Sequence, residues 1–221
     1  MDITENILFE DTEILVCRKY AGIAVQTRKL GEQDMESLLR NYRAGKGETP
    51  YIGVVHRLDQ PVEGILVFAK NPRAAAALSR QLQQDGFGKY YRGVVWGEPP
   101  QEEGRLEDVL QKDGRTNMSR VVSAGTKGGK RAVLDYKVLE RQTDTSLVEI
   151  RLYTGRHHQI RVQLAHAGCP LMGDRKYGNT ASPTVPLALC ACRLAFRHPI
   201  SGETLMYQVE PEGAAFLPYR K

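Results

Sequence analysis

Residues 51 to 70, YIGVVHRLDQPVEGILVFAK, set an arginine and an aspartate inside an apolar run. In an extended chain residues two apart share a face, so Arg57 and Asp59 are expected to project to one side of a strand. Charge in such a setting is costly unless it is paired or used. An ionised carboxylate held by a cation can act as a nucleophile or as a base. Glu63 is a second acid, and a carboxylate pair could serve glycoside hydrolysis. Pro61 lies between the two acids and argues against a shared helical face, and Glu63 is expected in an exposed turn. Taken alone, the segment reads as a strand-end ion pair.

Two further stretches concentrate polar groups. KYYRGVVWG, residues 89 to 97, reads as a strand with Tyr91, Gly93 and Val95 on one face. A tyrosine there is a large apolar body with one polar tip, and by itself it reads as core. TGRHHQIRVQLAHAGCPLMGDRKYG, residues 154 to 178, crowds Arg156, His157, His158, Gln159 and Arg161 at the start of a predicted helix. Backbone N–H groups at a helix start favour anions, and arginines beside them suit a phosphate or carboxylate. TKGGKR, residues 126 to 131, adds a basic patch at an expected hairpin tip.

The elements that must position these groups follow from periodicity and punctuation. LFEDTEILVCRKYAG suits two short strands and a turn, and a short amphipathic helix follows with Leu38, Leu39 and Tyr42 on one side. Asn71 and Pro72 open a second helix through an alanine run, and Gly86 ends it. Residues 101 to 131 suggest short hairpin elements and loops. AVLDYKVLERQTDTSLVEIRLYTG reads as a hairpin turning near residues 142 to 145, and the tail as two strands around PISGE. Strands outnumber helices and connections are too short for repeated crossovers, so the expected class is α+β with a largely antiparallel mixed sheet. Without repeats or a long linker, residues 1 to 221 are expected to form a single domain.

Composition narrows the function classes. Of 221 residues, 41% are hydrophobic and 26% charged, a globular balance, and no apolar run is long enough to span a bilayer. The start carries acids rather than a basic n-region and apolar core, so no signal peptide is expected and a cytoplasmic location is the default. Cys17, Cys169, Cys190 and Cys192 are too few and scattered for a disulfide framework, and neither they nor the histidines have zinc-site spacing. A net charge of +5 makes a polyanionic partner plausible.

The order HRLD…GILVFAKN, KYYRGVVWG, TGRHHQIRVQLAHAGCPLMGDRKYG and LAFRHPISGE resembles the RluA-type family of RNA pseudouridine synthases, from about Leu15 to Glu203. The family usually follows HRLD with Thr or Ser and then Ser-Gly, where this chain has Val62-Glu63-Gly64. The resemblance implies a curved mixed sheet in two lobes flanked by helices, with a central RNA cleft and no preceding S4 module. It implies Asp59 as the catalytic aspartate, Tyr91 as the active-site tyrosine and Arg161 as the basic partner of Asp59. Arg57 would assist base extrusion, and further RNA contacts are expected from His56, Arg156, His157, His158 and Lys130. No metal or cofactor is implied, and the expected partner is ribosomal or transfer RNA, bound by a monomer. The alternative is a catalytically reduced RNA-binding relative.

Overall fold

The computed structural model describes residues 3–29, 31–84, 86–178 and 185–220. In chain order the elements are β1 (Ile7–Glu10), β2 (Ile14–Lys19), α1 (Met35–Gly45), β3 (Gly53–Val54), β4 (Glu63–Ala69), α2 (Pro72–Gln83) and β5 (Gly88–Trp96). They continue with β6 (Glu103–Asp113), β7 (Met118–Val122), β8 (Lys130–Arg141), β9 (Thr145–Leu152), α3 (Gln159–His166), β10 (Leu189–Arg197) and β11 (Thr204–Gln208). The architecture is α+β with a mixed, mostly antiparallel sheet. Contacts divide the chain into two compact units, residues 1–88 with 191–210 and residues 89–190 with 211–221, so the chain changes unit within β10.

In the first unit β2 pairs antiparallel with β1 and with β4, in register from Ile14 opposite Ala69 to Lys19 opposite Gly64. All seven residues of β4 are buried, which suits its nearly unbroken apolar sequence. α2 starts where the sequence says it should: Asn71 Oδ1 accepts from Ala74 N at 2.9 Å, and Pro72 takes the first helical position. Its Ala74 and Leu78 pack into a core with Ile14, Val16, Ile65, Val67, Phe87, Leu194 and Phe196. Gly64 leaves no room for a side chain. It has φ +132°, and a Cβ there would lie 2.4 Å from Ala191 O.

The second unit is an antiparallel array in the order β5-β9-β8-β6-β7. β8 and β9 form the expected hairpin, with Gln142 N donating to Thr145 O across the turn. β6, at 11 residues, is far longer than the short elements expected over residues 101 to 131. Its alternating burial, with polar residues outward, makes it a half-solvated strand rather than a set of loops. α3 contributes Val162 to a cluster with Leu110 and Ala132. The four cysteines are buried, and none is joined in a disulfide among the described residues. Among the described residues no helix is long and apolar enough to cross a membrane.

Candidate active site

Asp59 lies in a loop and not in the strand expected for it. Residues 55–62 connect β3 to β4 without joining either ladder, and Val62 N donates to Asp59 O at 3.0 Å to close a turn through Gln60 and Pro61. Pro61 lacks the N–H that a continuing ladder would need, which is why the extended run breaks here. Leu58 and Val62 are buried on either side of half-buried Asp59, while Arg57 is exposed.

This turn is clamped to another, at residues 20–23. Gly22 N donates to Gln60 O at 2.9 Å, and Gln60 Nε2 returns a bond to Gly22 O at 2.9 Å. Between the two turns lies Lys19, 0% exposed, whose Nζ donates to the carbonyls of Tyr20 (3.1 Å), Ile23 (2.8 Å) and Gln60 (3.0 Å). Burial lowers its pKa to about 8, and the charges of Asp59 and Glu63 partly oppose that shift. The ammonium therefore remains charged at neutral pH, a buried cation within electrostatic reach of Asp59. The sequence reading missed Lys19. Its one mark is a lysine ending an apolar strand, and its partners are main-chain carbonyls that leave no trace in sequence.

Glu63 corrects a second expectation. It is buried at the start of β4 rather than exposed in a turn, with Arg18 Nη2 3.7 Å away. Its burial follows from the register that sets Gly64 opposite Lys19 on β2. His56 is held by the protein as well: its Nε2 accepts from Val67 N at 3.2 Å, and its ring meets Phe87 edge-on.

In the second unit Tyr91 is buried on β5 opposite Ile150 of β9. α3 begins after His158, a non-glycine residue at φ 55°. Gln159 Oε1 accepts from Arg156 N (3.0 Å) and Thr154 Oγ1 (2.7 Å), while its Nε2 donates to Val133 O (3.1 Å), fixing the helix start to β8. Arg161, 5% exposed, forks side-on onto Asp174: Nε to Oδ2 at 2.8 Å and Nη2 to Oδ1 at 2.8 Å. Burial would raise the Asp174 pKa, but the Arg161 hydrogen bonds and charge, with two backbone N–H donors, lower it overall. Tyr177 lies under the guanidinium, and its hydroxyl bonds His158 Nδ1 at 2.7 Å. His157 stacks on His158 and bonds Ser119 Oγ at 2.9 Å.

The structure thus brings Arg161, His157 and His158 into one network, joined by Asp174, Tyr177 and Ser119, to which no role could be given from sequence. Arg156 and Lys130 are exposed, and Arg156 Nε donates to Arg131 O of β8 at 2.9 Å. No group of three or more metal-ligating side chains occurs among the described residues.

The family model described as RNA pseudouridylate synthase matches residues 13–166. The chain belongs to that family. A Chlorobaculum parvum protein named as an uncharacterized RNA pseudouridine synthase is 34% identical, covering 93% of this chain and 70% of its own length. The ribosomal large subunit pseudouridine synthase D of Zymomonas mobilis is 34% identical, covering 95% of this chain and 70% of its own. Human RNA pseudouridylate synthase domain containing 4 shares the fold, with a TM-score of 0.79 at 22% identity over 94% of this chain and 89% of that one. Membership, with the RluA-type motif order, makes the protein an isomerase acting on RNA.

Proposed function

We propose that this protein converts specific uridines of ribosomal RNA to pseudouridine, with Asp59 as its catalytic carboxylate and Tyr91 and Arg161 acting in the same reaction. The observation that carries this reading is the HRLD turn itself: a half-buried aspartate in a family-matched segment, with buried cationic Lys19 in electrostatic reach. Relatives named for the large ribosomal subunit support the RNA class. The protein works as a monomer in the cytoplasm and needs no cofactor.

The reaction breaks the N1–C1′ bond, turns the base, and forms a C5–C1′ bond. The C5 proton then leaves to solvent and N1 takes one up, so no atom is gained or lost overall. Asp59 attacks or stabilises the electron-poor intermediate through its carboxylate, with the Lys19 ammonium as a buried positive charge in the same unit. The uridine leaves its stack to be reached. Tyr91 offers a ring face to the base and a hydroxyl for proton transfer. Exposed Arg57, Arg156 and Lys130 meet phosphates, while His56, His157 and His158 shape the contact surfaces from positions held by protein groups.

Purified protein incubated with unmodified large-subunit ribosomal RNA transcripts, followed by pseudouridine mapping, tests the reading. New pseudouridines at a small number of positions are expected. RNA binding with no modification on ribosomal or transfer RNA would leave the RNA-binding relative as the better description.

A further inference from the structure

Asp174 and Tyr177 sit in a loop whose shape is tightly determined. Gly173 has φ +74°, and a Cβ there would lie 2.3 Å from Pro186 O; a Cβ on Gly178 would lie 2.5 Å from Asp174 O. Asp174 N donates to Leu171 O at 3.2 Å, and Gly178 N to Asp174 O at 2.8 Å. Within this frame the carboxylate cannot swing, because Oδ1 also accepts from Lys176 N (2.9 Å) and Tyr177 N (3.2 Å). Tyr177 is pinned at its far end, where the hydroxyl accepts from Ser119 N at 2.7 Å and bonds His158 Nδ1.

Both fixed groups converge on one side chain. The carboxylate takes Nε and one Nη of Arg161 in a two-point fork, and the Tyr177 ring lies 5.3 Å from its Cζ. A fork and a ring face together define the position and the plane of a guanidinium. A guanidinium has five N–H donors, and the fork uses two, both on its Nε side. The opposite edge is thereby aimed by the protein before any RNA arrives.

We infer that Asp174 and Tyr177 are positioning residues for pseudouridine formation, acting through Arg161. The inference rests on the proposed role of Arg161 in the reaction. A general structural role predicts loss of folded protein with an unchanged rate per active molecule. A positioning role predicts a slower chemical step in a folded protein that still binds RNA.

The test is a single-turnover measurement of tritium release from C5-labelled uridine in RNA, with RNA affinity and thermal unfolding measured alongside. Asp174→Asn should lower the single-turnover rate about 10²-fold, the scale of a small misplacement of a reacting group. RNA affinity should change by less than about threefold, since the lost interaction matters in the transition state. Asp174→Glu should recover much of the rate. In an Arg161→Lys background, Asp174→Asn should cost little more, because an ammonium cannot be held by a fork. If Asp174→Asn does not fold, Tyr177→Leu decides: a slower chemical step in folded protein supports the inference, and an unchanged one overturns it. Full rate in folded Asp174→Asn with a slow Arg161→Lys overturns the positioning role alone. Full rate in Arg161→Lys removes the role of Arg161 and the inference with it.

Discussion

The two units fix their buried cations in different ways. In the first, the Lys19 ammonium is surrounded by three backbone carbonyls and ties one turn to another. In the second, Arg161 is gripped by the Asp174 carboxylate and by Tyr177, and that tyrosine is held in turn by His158 and Ser119. A lysine offers a compact charge whose donors can rotate, which suits carbonyls arriving from several directions. An arginine offers a planar fork, which suits orientation. Lys19 therefore determines where the Asp59 turn lies, and the second network determines how one guanidinium points. Damage to the first should appear in stability and activity together, and damage to the second mainly in rate.

Tyr91→Phe should sharpen that contrast most. It keeps the ring and its packing on β5 but loses the hydroxyl, so single-turnover rate should fall by about 10² to 10⁴ with RNA affinity nearly unchanged. Weakened binding at an intact rate would make Tyr91 a packing residue.

Lys19→Met should break the first unit's arrangement. It leaves the carbonyls of Tyr20 and Ile23 without their buried donor, at a cost of about 3 kcal/mol in denaturant unfolding, and activity should fall with it. The pH dependence gives a second readout. The folded pKa of about 8 lies below the ordinary 10.5, so the unfolded chain holds this proton more tightly. This group's contribution to stability therefore rises with pH between those values, and the variant should lose the rise. An unchanged unfolding midpoint would show that the turns hold without the ammonium.

Glu10→Gln is the mildest change and separates stability from catalysis within the first unit. Burial opposes ionisation of Glu10, yet hydrogen bonds from Lys70, Tyr42 and Lys46 lower its pKa to about 2. A depressed carboxylate contributes stability above its unfolded pKa, near 4.5, and that stability is lost as pH falls towards 2. The variant should be less stable at neutral pH by about 2 kcal/mol, discounted for partial exposure, with a flatter acid limb and an unchanged rate per folded molecule. An acid limb as steep as wild type would mean that other carboxylates carry it.

What was legible in sequence was local. Asn71-Pro72 announced α2, the β8–β9 hairpin and the PISGE turn were read from their punctuation, and Arg156 to Arg161 were placed at a helix start. What escaped was long-range or carried by main chain. Glu63 looked like a turn residue because its neighbour Arg18 lies on a distant strand. Asp59 looked like a strand residue because apolar runs flank it, and the reciprocal bonds of Gln60 to Gly22 that make the turn have no local signature. Asp174 lies in the GDRKYG stretch, but its partner is evident only once α3 and the loop after it are brought together.

The most direct measurement compares tritium release from C5-labelled uridine in ribosomal RNA for the wild-type protein and Asp59→Asn. The substitution keeps the shape of the side chain and removes its ionised oxygen. The account predicts release by the wild type and none by Asp59→Asn, although the variant folds and binds RNA. Release by Asp59→Asn within about tenfold of wild type, a difference of only about 1.4 kcal/mol in the barrier, would contradict it.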